Sequence, residues 1–119
     1  MSIDLAQSEA DFLVAMPKKP SSTKVHLFPE SGGKLLIELQ SVDDTEQFIL
    51  DINRSRIKVG GITYQNRARE IVVLRRLDLE GPPHRNPDGE VVPCPHLHVY
   101  REGYERSGLT HLRLNCSVT

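Results

Sequence analysis

Between Lys24 and Leu79 the chain is cut into short runs in which apolar and polar side chains alternate, with glycine, proline, asparagine, aspartate and serine between them. That punctuation limits the fold more than any other feature. A period of two fits a strand with one buried face, and runs this short cannot sustain the 3.6-residue period of a long helix. The expected strands are Lys24 to Phe28, Lys34 to Gln40, Thr45 to Ile52, Ile57 to Gln65 and Glu70 to Leu79, with turns at Pro29 to Gly33, Ser41 to Asp44, Asn53 to Arg56 and Asn66 to Arg69. Gly60-Gly61 inside the fourth run marks a bulge or a close approach of backbone. In the last run Ile71, Val73, Leu77 and Leu79 alternate with Val72, Leu74, Arg76 and Asp78, and Arg75 interrupts the first series.

Only the N-terminal segment reads as helix. Ser8 and Asp11 have the spacing of an N-terminal capping pair, Phe12, Leu13 and Met16 form an apolar patch, and Pro17 stops the helix by forcing Met16 out of the α region. So short a helix must lie on a sheet. Lys18 to Thr23 is expected to be a polar connection. The fold class is therefore α+β: a short N-terminal helix packed on a curved, barrel-like antiparallel sheet of five to seven strands, in a single domain over residues 1–119.

With 119 residues the chain can bury one modest core without disulfides or metals. Nothing approaches a membrane-spanning length, and the start lacks the basic and apolar regions of an export signal, so a cytoplasmic protein with no membrane partner is expected. Cys94 and Cys116 are read as free thiols. The net charge of -1 conceals a division. Seven basic residues and only Glu70 lie between Arg54 and Arg76, whereas six acidic residues and only Lys34 lie between Glu30 and Asp51. Such a dipole can steer a polyanion, or it can be two neighbouring strands pairing their charges.

The chemistry-bearing residues concentrate in Gly81 to Tyr104, GPPHRNPDGEVVPCPHLHVYREGY. Its first half has the composition of a loop, and a strand from Val91 to Arg101 would put Cys94, His96, His98 and Tyr100 on one face. His96 and His98 would stand roughly 6–7 Å apart along the backbone, a spacing that can bracket a phosphate. One histidine can take a proton from an attacking 2'-hydroxyl while another protonates the leaving oxygen, because imidazole titrates near neutrality. On this reading the protein binds RNA and cleaves it without a metal, His84, His96 and His98 supply the acid and base, and Arg54, Arg75, Arg76 and Tyr100 hold the phosphate. Arg56 is a further donor, and Tyr64 or Tyr104 can stack on a base. No cofactor is then required.

Two other readings stand beside it. HxH on a strand turns two imidazoles to one side, and Glu102 continues the alternation, so His96, His98 and Glu102 could hold zinc or another divalent metal; His84 and Cys94 could complete a zinc set with the two strand histidines. The run His96-Leu97-His98-Val99-Tyr100-Arg101-Glu102 resembles the first metal motif of cupins, although no full second motif surrounds His111. The other reading is a compact inhibitor or adaptor that binds a protein or nucleic acid without catalysis, as a monomer or a homodimer. P-loop, dinucleotide, HExxH and paired CxxC motifs do not occur.

The run LEGPPHRNPDGEVVPCPHLHVYREGY, Leu77 to Tyr104, resembles small uncharacterised proteins of bacteria and their prophages within the broad class of domains of unknown function. The resemblance implies no particular activity. It does imply further polar residues and an aromatic after Tyr104, and ERSGLTHLRLNCSVT departs from that continuation, so residues 105–119 are expected to form a divergent or irregular tail.

Overall fold

A computed structural model describes residues 5–80, 84–85, 89, 91–92, 95–102 and 113–115. The first element is α1, Gln7–Ala15. The expected Ser8 cap is not formed: Ala6 occupies the N-cap position without a side-chain bond. The helix start is satisfied from far along the chain, where the Glu102 carboxylate accepts from the Gln7 N–H at 2.8 Å and the Glu102 N–H donates to Gln7 Oε1 at 2.9 Å. A carboxylate facing the positive end of the helix dipole suits that place. At the other end Met16 is extended (φ -61°, ψ 132°), as the residue before a proline should be. Lys18 then donates to the carbonyls of Leu13, Val14 and Met16 at 2.8, 3.0 and 3.0 Å, and its ammonium lies 4.5 Å from the centre of the Phe48 ring. Burial, and then the charge of Arg75, push the Lys18 pKa down.

The strands are β1 (Lys18–Pro20), β2 (Lys34–Ser41), β3 (Gln47–Arg54), β4 (Ile62–Ala68), β5 (Val72–Asp78), β6 (His84–Arg85), β7 (Val91–Val92), β8 (His96–Val99) and β9 (Arg113–Asn115). One antiparallel sheet has the order β1-β2-β3-β4-β5-β8-β9, its outer members three residues long, and β6 pairs with β7 separately. The sheet is open; it does not close into the expected barrel. The core gathers Leu5, Ala10 and Leu13 from the N-terminal segment against Phe48, Ala68, Val72, Leu74 and Tyr100.

Several boundaries differ from expectation for local reasons. Lys18–Pro20 pairs with Leu39 to Ser41 instead of forming a connection. Residues 24–28 form no strand, and Val25 and Leu27 are each 84% exposed. Residues 57–61 turn before β4 begins, held by a bond from the Gly61 N–H to the Lys58 carbonyl at 3.0 Å; a Cβ on Gly61 would meet Ser55 Cβ at 2.8 Å, which accounts for glycine there. Between β2 and β3 the Ser41 hydroxyl donates to Asp43 at 2.6 Å and accepts from the Thr45 and Glu46 N–H groups at 3.0 Å, forming a compact polar turn. β4 and β5 are joined through Arg69 and Glu70, both at positive φ (51° and 68°). Arg69 is held there by Glu9 at 2.9 Å and Glu46 at 3.2 Å.

The interruption at Arg75 is a β-bulge. The β4–β5 register runs Asn66 opposite Arg75 and then Arg67 opposite Val73, so Leu74 is an extra residue. The alternation therefore shifts partway along β5. Val72 and Leu74 face the core beside Ala68, and past the bulge Arg75 and Leu77 continue that face while Arg76 and Asp78 take the other.

Candidate functional site

Ladder pairing decides which polar side chains meet. Thr63 on β4 lies opposite Asp78 on β5, Gln65 opposite Arg76, and Arg76 and Asp78 lie opposite His98 and His96 on β8. Directly opposed residues share a sheet face, so this register builds a polar row across three strands.

Its centre is Asp78. Oδ1 accepts from Thr63 Oγ1 and from Arg76 Nε, each at 3.0 Å, and Oδ2 lies 3.0 Å from His98 Nε2. Burial by itself raises the Asp78 carboxyl, but the bonds from His98 and Arg76, the Arg76 charge and the Thr63 bond outweigh it and hold the group well below the usual carboxylate range. An ionised carboxylate can only accept, so Nε2 of His98 carries the hydrogen of that bond. Asp78 thus fixes both the orientation and the tautomer of the imidazole. His98 is 9% exposed. Arg76 spends its Nε on Asp78 and is 44% exposed; its terminal nitrogens have no partner among the described residues. One carboxylate therefore aligns an imidazole and a guanidinium.

The other sequence-derived candidates separate. Arg54 and Arg75 belong to the face that carries Phe48 and Ala68, whereas His98 and Arg76 belong to the opposite one. Arg54 donates to the Pro29 carbonyl at 3.2 Å, and the charge of Arg75 helps push the Lys18 pKa down, after burial. Tyr100 lies beyond the end of β8 and is 3% exposed; its hydroxyl accepts from the Leu5 N–H at 2.7 Å and donates to the Leu5 carbonyl at 2.9 Å. It ties the N-terminal segment to the core. Glu102 does not continue the strand alternation, because β8 ends at Val99 and the Glu102 carboxylate caps α1. The backbones of His84 and His96 lie in β6 and β8, and their side chains fall outside the described residues, as do Cys94, Tyr104, His111 and Cys116. Among the described residues no three His, Cys, Asp or Glu side chains are grouped to hold a metal ion, and no helix is long and apolar enough to cross a membrane.

Two members of each charged stretch resolve into cross-strand pairing. Arg67 on β4 grips Asp51 on β3 in a two-point bond of 2.6 and 2.9 Å, and Arg69 bonds Glu46. Arg67 and Arg69 are thereby held in the cationic state by those hydrogen bonds. Asp78 itself is absent from the sequence-derived set. The signal was its two-residue offset from Arg76, and only the β5–β8 register connects that offset to His98.

Residues 5–114, which take in every described strand but the end of β9, match the model of a family of unknown function. The chain belongs to DUF6978. No curated protein and no solved structure matches the DUF6978 chain. Membership brings no assigned activity, so the chemistry of the site is argued from its own residues.

Proposed function

We propose that this DUF6978 chain binds RNA across the β4–β5–β8 face and cleaves it without a metal, with His98 as one member of a histidine acid/base pair and His84 or His96 as the other. The observation that carries the reading is the single Asp78 carboxylate shared by His98 and Arg76. A fixed imidazole with a carboxylate behind it is suited to exchange a proton with a ribose hydroxyl or a departing oxygen. The terminal nitrogens of Arg76 supply a planar donor pair for a phosphate oxygen on the same face. Arg76 takes the phosphate role in this arrangement because Arg54 and Arg75 belong to the other face.

The test is cleavage of single-stranded RNA by freshly purified protein in excess EDTA, run beside His98→Gln. Glutamine keeps a donor for Asp78 but cannot serve as an acid or base near neutral pH. The wild type should yield a fragment ladder, and the variant should be slower by about 100-fold or more. An inactive wild type that still retains RNA would restrict the role to binding. Equal cleavage by the two proteins would remove His98 from the mechanism.

A further inference from the structure

The loop between β3 and β4 holds in water what a small domain ordinarily buries. Ile57 is 90% exposed and Val59 86%, the two highest values among the large apolar side chains of the described residues. The loop is hydrogen-bonded along its length. Ser55 Oγ accepts from the Ile57 and Lys58 N–H groups at 3.1 and 3.0 Å, the Ser55 N–H donates to the Gly61 carbonyl at 2.7 Å, and the Gly61 N–H returns to the Lys58 carbonyl at 3.0 Å. The turn that precedes β2 buttresses it: the Ser31 hydroxyl lies 3.3 Å from both the Ser55 and the Arg56 carbonyl oxygens, and Arg54 bonds the Pro29 carbonyl. Connecting two strands needs only small or polar turn residues. Two aliphatic side chains held clear of the surface need another explanation.

The charges around these tips point to the surface they meet. The run Arg56-Ile57-Lys58-Val59 interleaves two cations with the two aliphatics, and all four side chains are exposed. Lys34, also exposed, begins β2 directly after the buttressing turn and stands opposite Asn53 at the end of β3. Among the described residues none of these three cations has an ion-pair partner. The carboxylates beside them are Glu30, in the buttressing turn, and Glu80, which lies against Gly60. The end of the sheet is therefore positive. Protruding aliphatic side chains between unpaired cations match a surface that is apolar beneath an anionic skin. A nucleic acid would satisfy the cations but has no use for isoleucine and valine, because bases stack on aromatic and guanidinium planes. A protein partner would need a shaped contact of about 800 Å² on each side, and side chains this exposed line no groove.

We propose that the β3–β4 loop of this DUF6978 chain docks on an anionic lipid surface, with Ile57 and Val59 entering the headgroup region and Lys34, Arg56 and Lys58 facing the lipid anions. The contact involves no spanning segment. It leaves none of the compositional marks by which a span or an export signal is recognised in a sequence, and it stands without reference to the chemistry of the Asp78 row. The two contributions are of different kinds: each aliphatic side chain that leaves water strengthens binding by about tenfold, and each cation at the anionic surface by about fivefold. Neither contribution alone holds the protein on the lipid, so docking is reversible and weakens as salt screens the cations.

The test is co-sedimentation of the whole chain with vesicles of phosphatidylcholine containing phosphatidylserine, and with vesicles of phosphatidylcholine alone, at low and at physiological salt. Wild type is run beside Ile57→Ser/Val59→Ser and Arg56→Gln/Lys58→Gln. Wild type should bind the anionic vesicles and leave the zwitterionic ones in large excess unbound. The serine pair should weaken binding at least tenfold and keep its salt dependence. The glutamine pair should weaken it about 25-fold and flatten that dependence. All four substituted side chains are exposed and without intrachain ion pairs among the described residues, so thermal melts of the three proteins should coincide, which separates lost docking from lost folding. A wild type that stays in solution beside anionic vesicles would overturn the proposal. So would binding that the serine pair leaves unchanged, since the contact would then be charge alone, or binding indifferent to the glutamine pair.

Discussion

Replacing Asp78 by asparagine removes one charge and almost no volume from the centre of the polar row. The cost can be worked out donor by donor. The asparagine oxygen can still accept from Thr63 and Arg76, which both bond Oδ1 in the native protein. Its amide nitrogen then stands where Oδ2 stood and faces His98 Nε2, so the imidazole must give up its hydrogen there and change tautomer to accept. Among the described residues Thr63 and Arg76 keep their acceptor, but the bonds from Arg76 and His98 lose an ionised one. Bonds to charged groups contribute about 1.5–3 kcal/mol against about 1 for neutral ones, so the expected loss is about 2–3 kcal/mol at neutral pH. For a domain of this size that lowers the melting temperature by about 8–12 °C. Asp78→Ala should cost more, because His98 and Thr63 then lose their acceptor while the exposed Arg76 rehydrates.

The pH dependence supplies the sharper check. A carboxyl whose folded pKa is depressed stabilises the fold above its unfolded value of about 3.9 and surrenders that contribution as pH falls toward the folded value. Wild type and Asp78→Asn should therefore differ fully at pH 6–7, and the gap should narrow below pH ~4. Chemical denaturation of both proteins from neutral to acid pH measures it. An asparagine variant within about 0.5 kcal/mol of wild type at neutral pH, or a gap that stays constant into acid, would refute the account of Asp78 as an ionised hub.

Other contacts give further expectations. Tyr100→Phe removes the hydroxyl that bonds both the N–H and the carbonyl of Leu5. It should cost about 2 kcal/mol and, by hydrogen exchange, loosen the N-terminal segment before the sheet. Equal protection in the two proteins would contradict that role. Ser41→Ala strips the β2–β3 turn of an acceptor shared by two backbone N–H groups and should destabilise by about 1–2 kcal/mol in denaturant titrations, with an unchanged m-value.

The sequence carried the fold at the level of element type and much less at the level of edges. Period-two alternation located β2, β3 and β5 to within a few residues, because each presents apolar side chains to one core face and polar ones to solvent. It misassigned 24–28 because Lys-Val-His-Leu-Phe has strand preference, yet Val25 and Leu27 reach solvent and no neighbour completes a ladder there. Propensity describes what a run tolerates, and a strand also requires a partner. The helix start was misread for a related reason. Ser8 offered a local cap, but Glu102 caps from 95 positions away, and no local pattern contains that contact.

The candidate site follows the same logic, with the bulge as its hinge. Without an extra residue at Leu74, a single parity would run through β5, and arginines at adjacent positions would simply face opposite ways. The bulge changes what those ways are: it keeps Arg75 on the core side with Leu74 and Val72, and turns Arg76 and Asp78 together onto the outer face. That turn brings Asp78 under His98 and sets Arg76 beside it. The sequence showed the anomaly as one arginine out of step in an apolar row, and its physical meaning was a change of face along a strand. An unbroken alternation from Val72 would instead put Arg76 and Asp78 on the core side, so the pairing of His98 depends on the bulge at Leu74, a core residue of the other face.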